Sequence, residues 1–442
     1  MAIGVKQRFG HIGVVMLLLA GLLLPANSRA QQTVVPLQFS FSDPGARSMG
    51  FGGAFVGLAD DATAAIANPA GLAQLIKPEV SIEVRHWNYS TPFSEGGRIE
   101  NLPSMNGIDN TIGIRRSTVS YDTDGISFLS FAYPAGNWTF ALFRHQLADL
   151  EFYAETQGFF SGGTDCCQVR EVDQRMYSDL ETVSWGLSTA YRINDRVDLG
   201  LGVAYHDHSM RTGATQFLAD DDTLAGIFGP NSYLPERSVI GERSYSDSSN
   251  WTLSGGFLWR LSDSWSIGGV YRQGPTIKLN VEAFVGQAID FGIPPGSVFF
   301  QGFDHPVDFP DTYGFGFAYR APSGNLTISF QWDHIEYSSI ATSLELDDQT
   351  IDDINTLHLG AEYVFLESTP VVALRLGTWL EPDHQVRATS DDPFLQALLP
   401  PGDDDVHISA GLGIATKRFQ IDLAMDYADR VDTLALSAIY NF

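Results

Sequence analysis

Cysteine, positive charge and long apolar runs are all scarce in this chain. Its only cysteines, Cys166 and Cys167, are adjacent. Neighbouring Cα atoms lie about 3.8 Å apart, below the usual disulfide range. The pair therefore forms either a strained vicinal ring, in an oxidising compartment, or two thiols that are free or paired between molecules, and neither state suggests catalysis. Lysine and arginine number 26 against 53 aspartates and glutamates, a formal charge of −27, which argues against nucleic acid or an anionic membrane surface as a partner. The one candidate apolar run, Ile12 to Leu24, is 13 residues long, short of the roughly 20 that a helix needs to span a bilayer. No Gly-x-Ser-x-Gly elbow and no phosphate-binding loop is present. Ser, His and Asp occur without a spacing that selects a triad, so no catalytic residue and no enzymatic activity is expected, and no cofactor is implied.

That short apolar run has a different use. Lys6 and Arg8 precede it, Pro25 breaks it, and Ser28-Arg29-Ala30 offers small residues where a signal peptidase reads. Cleavage after Ala30 is expected, so residues 1–30 read as a signal peptide and 442 − 30 = 412 residues remain. If the mature chain sits in a membrane it does so as a closed sheet, the other structure that satisfies backbone groups in lipid. The C-terminus agrees. In Thr433 to Phe442, Leu434, Leu436, Ala438, Tyr440 and Phe442 alternate with Ala435, Ser437, Ile439 and Asn441. This looks like the closing strand of a bacterial outer-membrane barrel, whose terminal aromatic, here Phe442, is engaged by the barrel-assembly machinery.

What is abundant fits that architecture. Aromatics make up 12% of the chain and charged residues only 18%, with 43 glycines, a balance suited to pleated strands with aromatic girdles. Fourteen segments alternate with period two: 80–90, 125–133, 136–148, 182–193, 196–209, 250–261, 264–274, 312–320, 325–337, 356–366, 371–380, 406–416, 419–428 and 433–442. In the fourth, Val183, Trp185, Leu187, Thr189, Tyr191 and Ile193 share one face, and Ser184, Gly186, Ser188, Ala190 and Arg192 share the other. The connectors alternate short and long: 91–124, 149–181, 210–249, 275–311, 338–355 and 381–405 are long, and a short one at 429–432 ends the series. Short periplasmic turns and long outer loops produce that pattern. The expected fold is all-β, a transmembrane antiparallel β-barrel of about 14 strands over residues 78–442. Acidic runs such as Asp220-Asp221-Asp222 and Asp403-Asp404-Asp405 read as solvated loops or as sites for divalent ions bridging to lipopolysaccharide. His206 and His208 share one strand face, which allows a metal, but no third ligand is identifiable and lumenal polar residues are the plainer reading.

Residues 31–77 do not look like barrel wall. From Asp43 to Leu75 they read DPGARSMGFGGAFVGLADDATAAIANPAGLAQL. Glycines permit tight backbone, Asp60 and Asp61 can cap the stretch Ala62 to Ala67, and Asn68-Pro69 stops it. The segment is too short to fold alone and is expected inside the barrel, as a plug of helical or irregular structure.

Asn68-Pro69-Ala70 and its surroundings resemble the N-terminal hatch of the long-chain fatty acid outer-membrane transporter (FadL-like) family, which also takes up aromatic and aliphatic hydrocarbons. Tyr313-Gly314-Phe315-Gly316-Phe317, Leu359-Gly360-Ala361-Glu362-Tyr363 and Arg375-Leu376-Gly377 fit it as well, so the resemblance runs from about residue 43 to the C-terminus. It implies passive uptake of hydrophobic molecules, with Asn68, Pro69 and Ala70 gating. It further implies an apolar landing groove on two outer loops: Phe217, Leu218, Leu224, Ile227 and Phe228 on one, Phe284, Val285, Phe291, Phe299 and Phe300 on the other. Packing of these loops on each other is the alternative. The family's lateral exit lies at a bend in the third strand, whereas here Gly136 to Ala148 has no interior Gly or Pro after Asn137. A related group, the PorV-like anchors or shuttles for secreted proteins, carries a similar hatch stretch, which Gly45-Ala46-Arg47 matches. That group is the first rival reading, and an outer-membrane lipid hydrolase the second.

Overall fold

The computed structural model describes residues 43–442 except 105–106, 111–112, 163–167, 171–172, 219–232, 289, 291, 345 and 347. The proposed signal peptide and both cysteines lie outside the described residues.

The wall consists of fourteen antiparallel strands. They are β1 (Glu79–Arg98), β2 (Ile114–Ala135), β3 (Trp138–Glu155), β4 (Asp173–Arg192), β5 (Val197–Phe217) and β6 (Ser238–Arg260). Next come β7, in two parts (Trp265–Arg272 and Thr276–Val285), and β8, also in two parts (Val298–Asp308 and Thr312–Arg320). The remainder are β9 (Leu326–Ile335), β10 (Ile354–Phe365), β11 (Val371–Glu381), β12 (Asp405–Ala415), β13 (Phe419–Tyr427) and β14 (Val431–Asn441). The last strand pairs with the first, from Glu79 opposite Asn441 to Tyr89 opposite Val431, and this removes the free edges of the sheet.

Side-chain chemistry sorts across the wall as lipid requires. On β4, Trp185 is 55% exposed and Ser188 is fully buried. The outward ring continues through Leu201, Trp251, Leu376 and Met425. Phe442, exposed at the seam, packs edge-on against Phe131 and Tyr440. Removing Phe442 is expected to reduce the amount of heat-modifiable barrel in the outer membrane without altering export. Equal barrel in both strains would contradict that.

Strand ends differ from the sequence reading at one end of the barrel only. The first six strands run well past the segments that alternate, so much of the long connectors 91–124, 149–181 and 210–249 is paired strand. Beyond the lipid belt both faces meet water. Stretches such as Ser244 to Asn250 (SYSDSSN) therefore pair through their backbones without any apolar alternation.

Two ladders are interrupted. β2 and β3 pair only from Phe128–His145 down to Ala135–Trp138, around a tight turn at Gly136, whose φ is +67°. Above His145, β3 pairs only with β4 and β2 only with β1. A bulge sits on each strand where the ladder ends, at Leu147 of β3 between Gln146 and Ala148 and at Ser127 of β2 opposite Glu83 and Val84, and a bulge bends a strand without needing Gly or Pro. The third strand thus departs from its neighbour in spite of its sequence. Between β6 and β7, pairing lapses over Ser246 to Leu253, where Gly274 and Pro275 break β7. There the β7–β8 hairpin leans inward, and Ile277, Leu279, Val307 and Phe309 join Ala148, Leu180, Met210 and Tyr337 in one apolar cluster.

Candidate functional site

Residues 43–75 lie inside the barrel as two short helices, α1 (Ala46–Gly50) and α2 (Ala64–Ala67), followed by a 3-10 segment, Pro69–Gln74. Phe51, Phe55, Leu58, Leu72 and the alanines of α2 bury together against Phe128, Ala132, Ala141 and Ala190 of the wall. Such short helices would not persist alone; this packing holds them. Asp61 does not cap α2 from the N-cap position. Its carboxylate accepts from the Thr63 N–H (2.9 Å) and hydroxyl, while Asp60 turns to Arg47 and Arg320.

A seat for this plug is built from glycine. An added Cβ at Gly360 would meet the Phe51 carbonyl at 2.0 Å, at Gly377 the Gly52 nitrogen at 2.1 Å, and at Gly200 the Ala70 nitrogen at 2.1 Å. Gly268 and Gly316 stand as close to Val56 and Gly57. Strand interiors normally disfavour glycine, so bare backbone at these inward positions marks where a second backbone rests on the wall. This seat was not recognised from the sequence. Its signal was there in Tyr313-Gly314-Phe315-Gly316-Phe317, where glycine takes both inward positions between three outward aromatics.

Polar groups finish the fit. Gln331 Oε1 accepts from the N–H groups of Phe55 (2.9 Å) and Val56 (2.8 Å). Ser188 donates to the Ala65 carbonyl (2.6 Å) and Ser266 to that of Gly57 (2.7 Å). Arg47 reaches Glu362 (3.3 Å), which also binds Arg375 (2.6 Å), and Arg375 continues to Asp422 (2.7 Å). Burial alone would raise the Asp60 carboxyl, but Arg47 and Arg320 outweigh it and hold the group below its ordinary range.

The structure places Asn68 at the hub of the seat, fully buried. Its amide donates to the Val56 carbonyl (2.9 Å) and the Phe257 carbonyl of β6 (3.0 Å), and its Oδ1 accepts from Ala70 N–H (3.2 Å). Pro69 and Ala70 lie against Gly200. Asn68→Ala would leave those groups unpaired at roughly 1–3 kcal/mol each. Amide exchange across residues 64–75 is expected to accelerate at least tenfold, since about 1.4 kcal/mol is a factor of ten; unchanged exchange would show that the turn does not hold the plug.

Above the plug lies a chamber. Asp43, Met49 and Gly53 form its floor, with Arg272, Asp333, His358, Trp379, Glu381 and His407 among its walls and Tyr337 and His384 toward the long-loop end. Tyr89 and Val431 line it too, and they belong to a cluster with Trp87, Tyr121 and Leu150 that reaches the unpaired edges of β2 and β3. Among the described residues side chains cross that gap: Thr123 of β2 donates to Asp149 of β3 (2.8 Å), whose carboxylate also accepts from Gln146 of its own strand (2.8 Å), and Arg144 of β3 donates to the Ile126 carbonyl of β2.

Of the apolar loop residues expected from the sequence, the six that are described do not line the chamber. Phe217 is buried against Tyr233 and Arg175, with Leu218 beside it. Phe284 covers Gly241, with Val285 buried next to it. Both pairs flank the outer end of β6, where Ser238 faces Phe217 and Ile240 faces Val285. Phe299 is exposed and Phe300 half-buried on β8, while Leu224, Ile227, Phe228 and Phe291 lie outside the described residues. His206 is bonded by both ring nitrogens, to Ser184 and Thr252, and His208 to Thr182 and Asn250, which makes them lumenal wall polar groups.

A plugged barrel with a chamber over the plug and a bulge-opened third strand can be compared with known proteins. Residues 168–432 match the family described as outer membrane protein transport protein (OMPP1/FadL/TodX). The chain belongs to this family. Its members are outer-membrane channels that pass hydrophobic molecules passively. Among solved structures, a Pseudomonas aeruginosa FadL homologue is similar at 15% identity and a TM-score of 0.60, over 92% of this chain and 99% of that one. The Pseudomonas putida toluene transporter TodX is similar at 14% and 0.56, over 91% and 99%, and the Ralstonia pickettii toluene transporter TbuX at 17% and 0.52, over 91% and 99%. No curated protein matches in sequence.

Proposed function

We propose that this chain takes up fatty acids or hydrocarbons, aromatic ones included, by a route running from the outer loops to the chamber and then out through the β2–β3 gap. In this reading residues 1–30 direct export, 31–77 form the hatch, and 78–442 form the barrel, which contacts lipopolysaccharide and is assembled through Phe442. The observation that carries the reading is the continuity of chamber and gap: Tyr89 and Val431 touch both. Each CH₂ kept out of water is worth about 0.8 kcal/mol, so an apolar molecule loses that gain in a water-filled pore and keeps it along an apolar path. Asn68, Pro69 and Ala70 gate by holding the hatch. Phe217, Leu218, Phe284, Val285, Phe299 and Phe300, with Leu224, Ile227, Phe228 and Phe291, supply the landing surface.

Phe284→Asp with Phe299→Asp tests that surface. The expected result is an uptake rate reduced about tenfold at low ligand concentration, with normal barrel assembly, because carboxylates would stand where two phenyl rings offered apolar contact. Unchanged kinetics would reduce both residues to loop packing.

A further inference from the structure

Above the chamber the lumen is closed a second time. Ala148, Leu180 and Met210, on β3, β4 and β5, belong to one apolar cluster with Ile335 and Ile354, on β9 and β10, so the cluster reaches from one side of the barrel to the other. Between them lie Ile277, Leu279, Val307 and Phe309 of the β7–β8 hairpin, together with Tyr337 and Ile340 at a short helix, α3 (Ser338–Ser343). None of these six is more than 7% exposed. Ile335 and Tyr337 also line the chamber, so the underside of the cluster is the chamber's roof.

The roof consists of two pieces. One is the part of the hairpin beyond Gly274-Pro275 and Phe309-Pro310. Proline has no N–H to give to a ladder, and at these breaks the hairpin leaves the wall: β8 pairs with β9 only from Thr312 onward, and among the described residues Val298–Asp308 has no ladder partner except β7. The other piece is Tyr337 with α3. His305 Nε2 donates to the Ser343 carbonyl (2.9 Å), the Asp308 N–H to the Ser343 hydroxyl (3.1 Å), and the Ser339 hydroxyl to the Asp308 carbonyl (3.2 Å). Asp308 is exposed and both serines half-buried, so water can take over these bonds when the pieces separate. Apolar contact is the main closure.

We propose that this roof is an outer gate, which parts between the hairpin and α3 to admit an apolar molecule and stays shut to ions and polar solutes. The proposal rests on the transport reading and adds the step by which the chamber is entered. Parting the seal in water exposes apolar surface, which is unfavourable. An apolar guest replaces the contacts that are lost, whereas a charged solute must shed its water to enter. Tyr337, 1% exposed and stacked on His384 at 4.4 Å, closes the gate on the chamber side.

Two experiments, both with Cys166 and Cys167 replaced by serine, test the gate. In the first, Asp308→Cys and Ser343→Cys are joined by a short bifunctional thiol reagent containing a cleavable disulfide. Uptake of labelled toluene by cells is expected to fall at least tenfold and to return with reductant, as for a lid that cannot open. A parental rate in the bridged protein overturns the proposal and leaves the transport reading standing. In the second, Thr356→Cys on the chamber wall reports the arrival of a charged, membrane-impermeant thiol reagent added outside the cells. Tyr337→Ala is expected to speed this labelling at least tenfold in barrels of parental heat-modifiability. Equal labelling with and without Tyr337 overturns the proposal whether or not toluene is carried. If toluene enters unbridged cells no faster than cells without the protein, the transport reading falls and the labelling decides the gate.

Discussion

Gly377→Val and Gly200→Val, made together, are expected to yield a barrel that assembles normally and conducts small ions at a level several times that of the parent. Valine suits a strand, so the wall itself has no reason to fail. Its Cβ, however, would stand about 2.1 Å from the Gly52 and Ala70 nitrogens. That separation is far inside van der Waals contact, and backbone on both sides leaves nothing flexible to yield. Each side of the seat would reject the plug, and the buried alanine and phenylalanine cluster that depends on close approach would be lost with it. Gly255→Val is the control, since its Cβ meets Leu201 at an ordinary 3.6 Å. Planar-bilayer conductance reads the outcome. A parental conductance in the double variant would show that the plug tolerates displacement and is not what closes the lumen.

Joining β2 to β3 is expected to stop transport almost completely. Thr123 and Asp149 face each other across the interrupted ladder at hydrogen-bond distance, so cysteines there can be bridged by a short bifunctional thiol reagent containing a cleavable disulfide. Cys166 and Cys167 are first replaced by serine. The bridge adds no bulk to the chamber and leaves the plug untouched, so a loss of uptake restored by reductant would place the exit at this gap. Normal uptake in the bridged protein would send the ligand past the hatch to the periplasmic end.

The wall could be read from the sequence because lipid enforces a pattern. From Trp185 to Ile193, and again from Leu434 to Phe442, outward residues must be apolar, and the alternation follows. Where lipid ends, so does the signal, and the outer halves of β1 to β6 looked like loops although their backbones pair. The bulge at Leu147 was invisible for a related reason: an extra residue in a strand needs no special side chain, so the absence of Gly and Pro from β3 said nothing about its bend. Asn68 could be singled out because a buried turn needs its own donors and acceptors. The chamber could not, since Asp43, Asp333, Glu381, His407 and Asp426 come from five separate elements and meet only through barrel closure. Four of the ten landing residues lie outside the described part of the chain; of the other six, Phe217, Leu218, Phe284 and Val285 flank the outer end of β6 and Phe299 and Phe300 lie on β8, none of them lining the chamber.

Uptake of a labelled monoaromatic hydrocarbon by cells whose only transporter of this family is the present chain tests the central claim most directly, measured at low concentration with and without an uncoupler. The account predicts uptake well above that of cells lacking the protein, unchanged by the uncoupler and abolished by the Thr123–Asp149 bridge. A rate equal to that of cells without the protein, or one that collapses with the proton gradient, would contradict it.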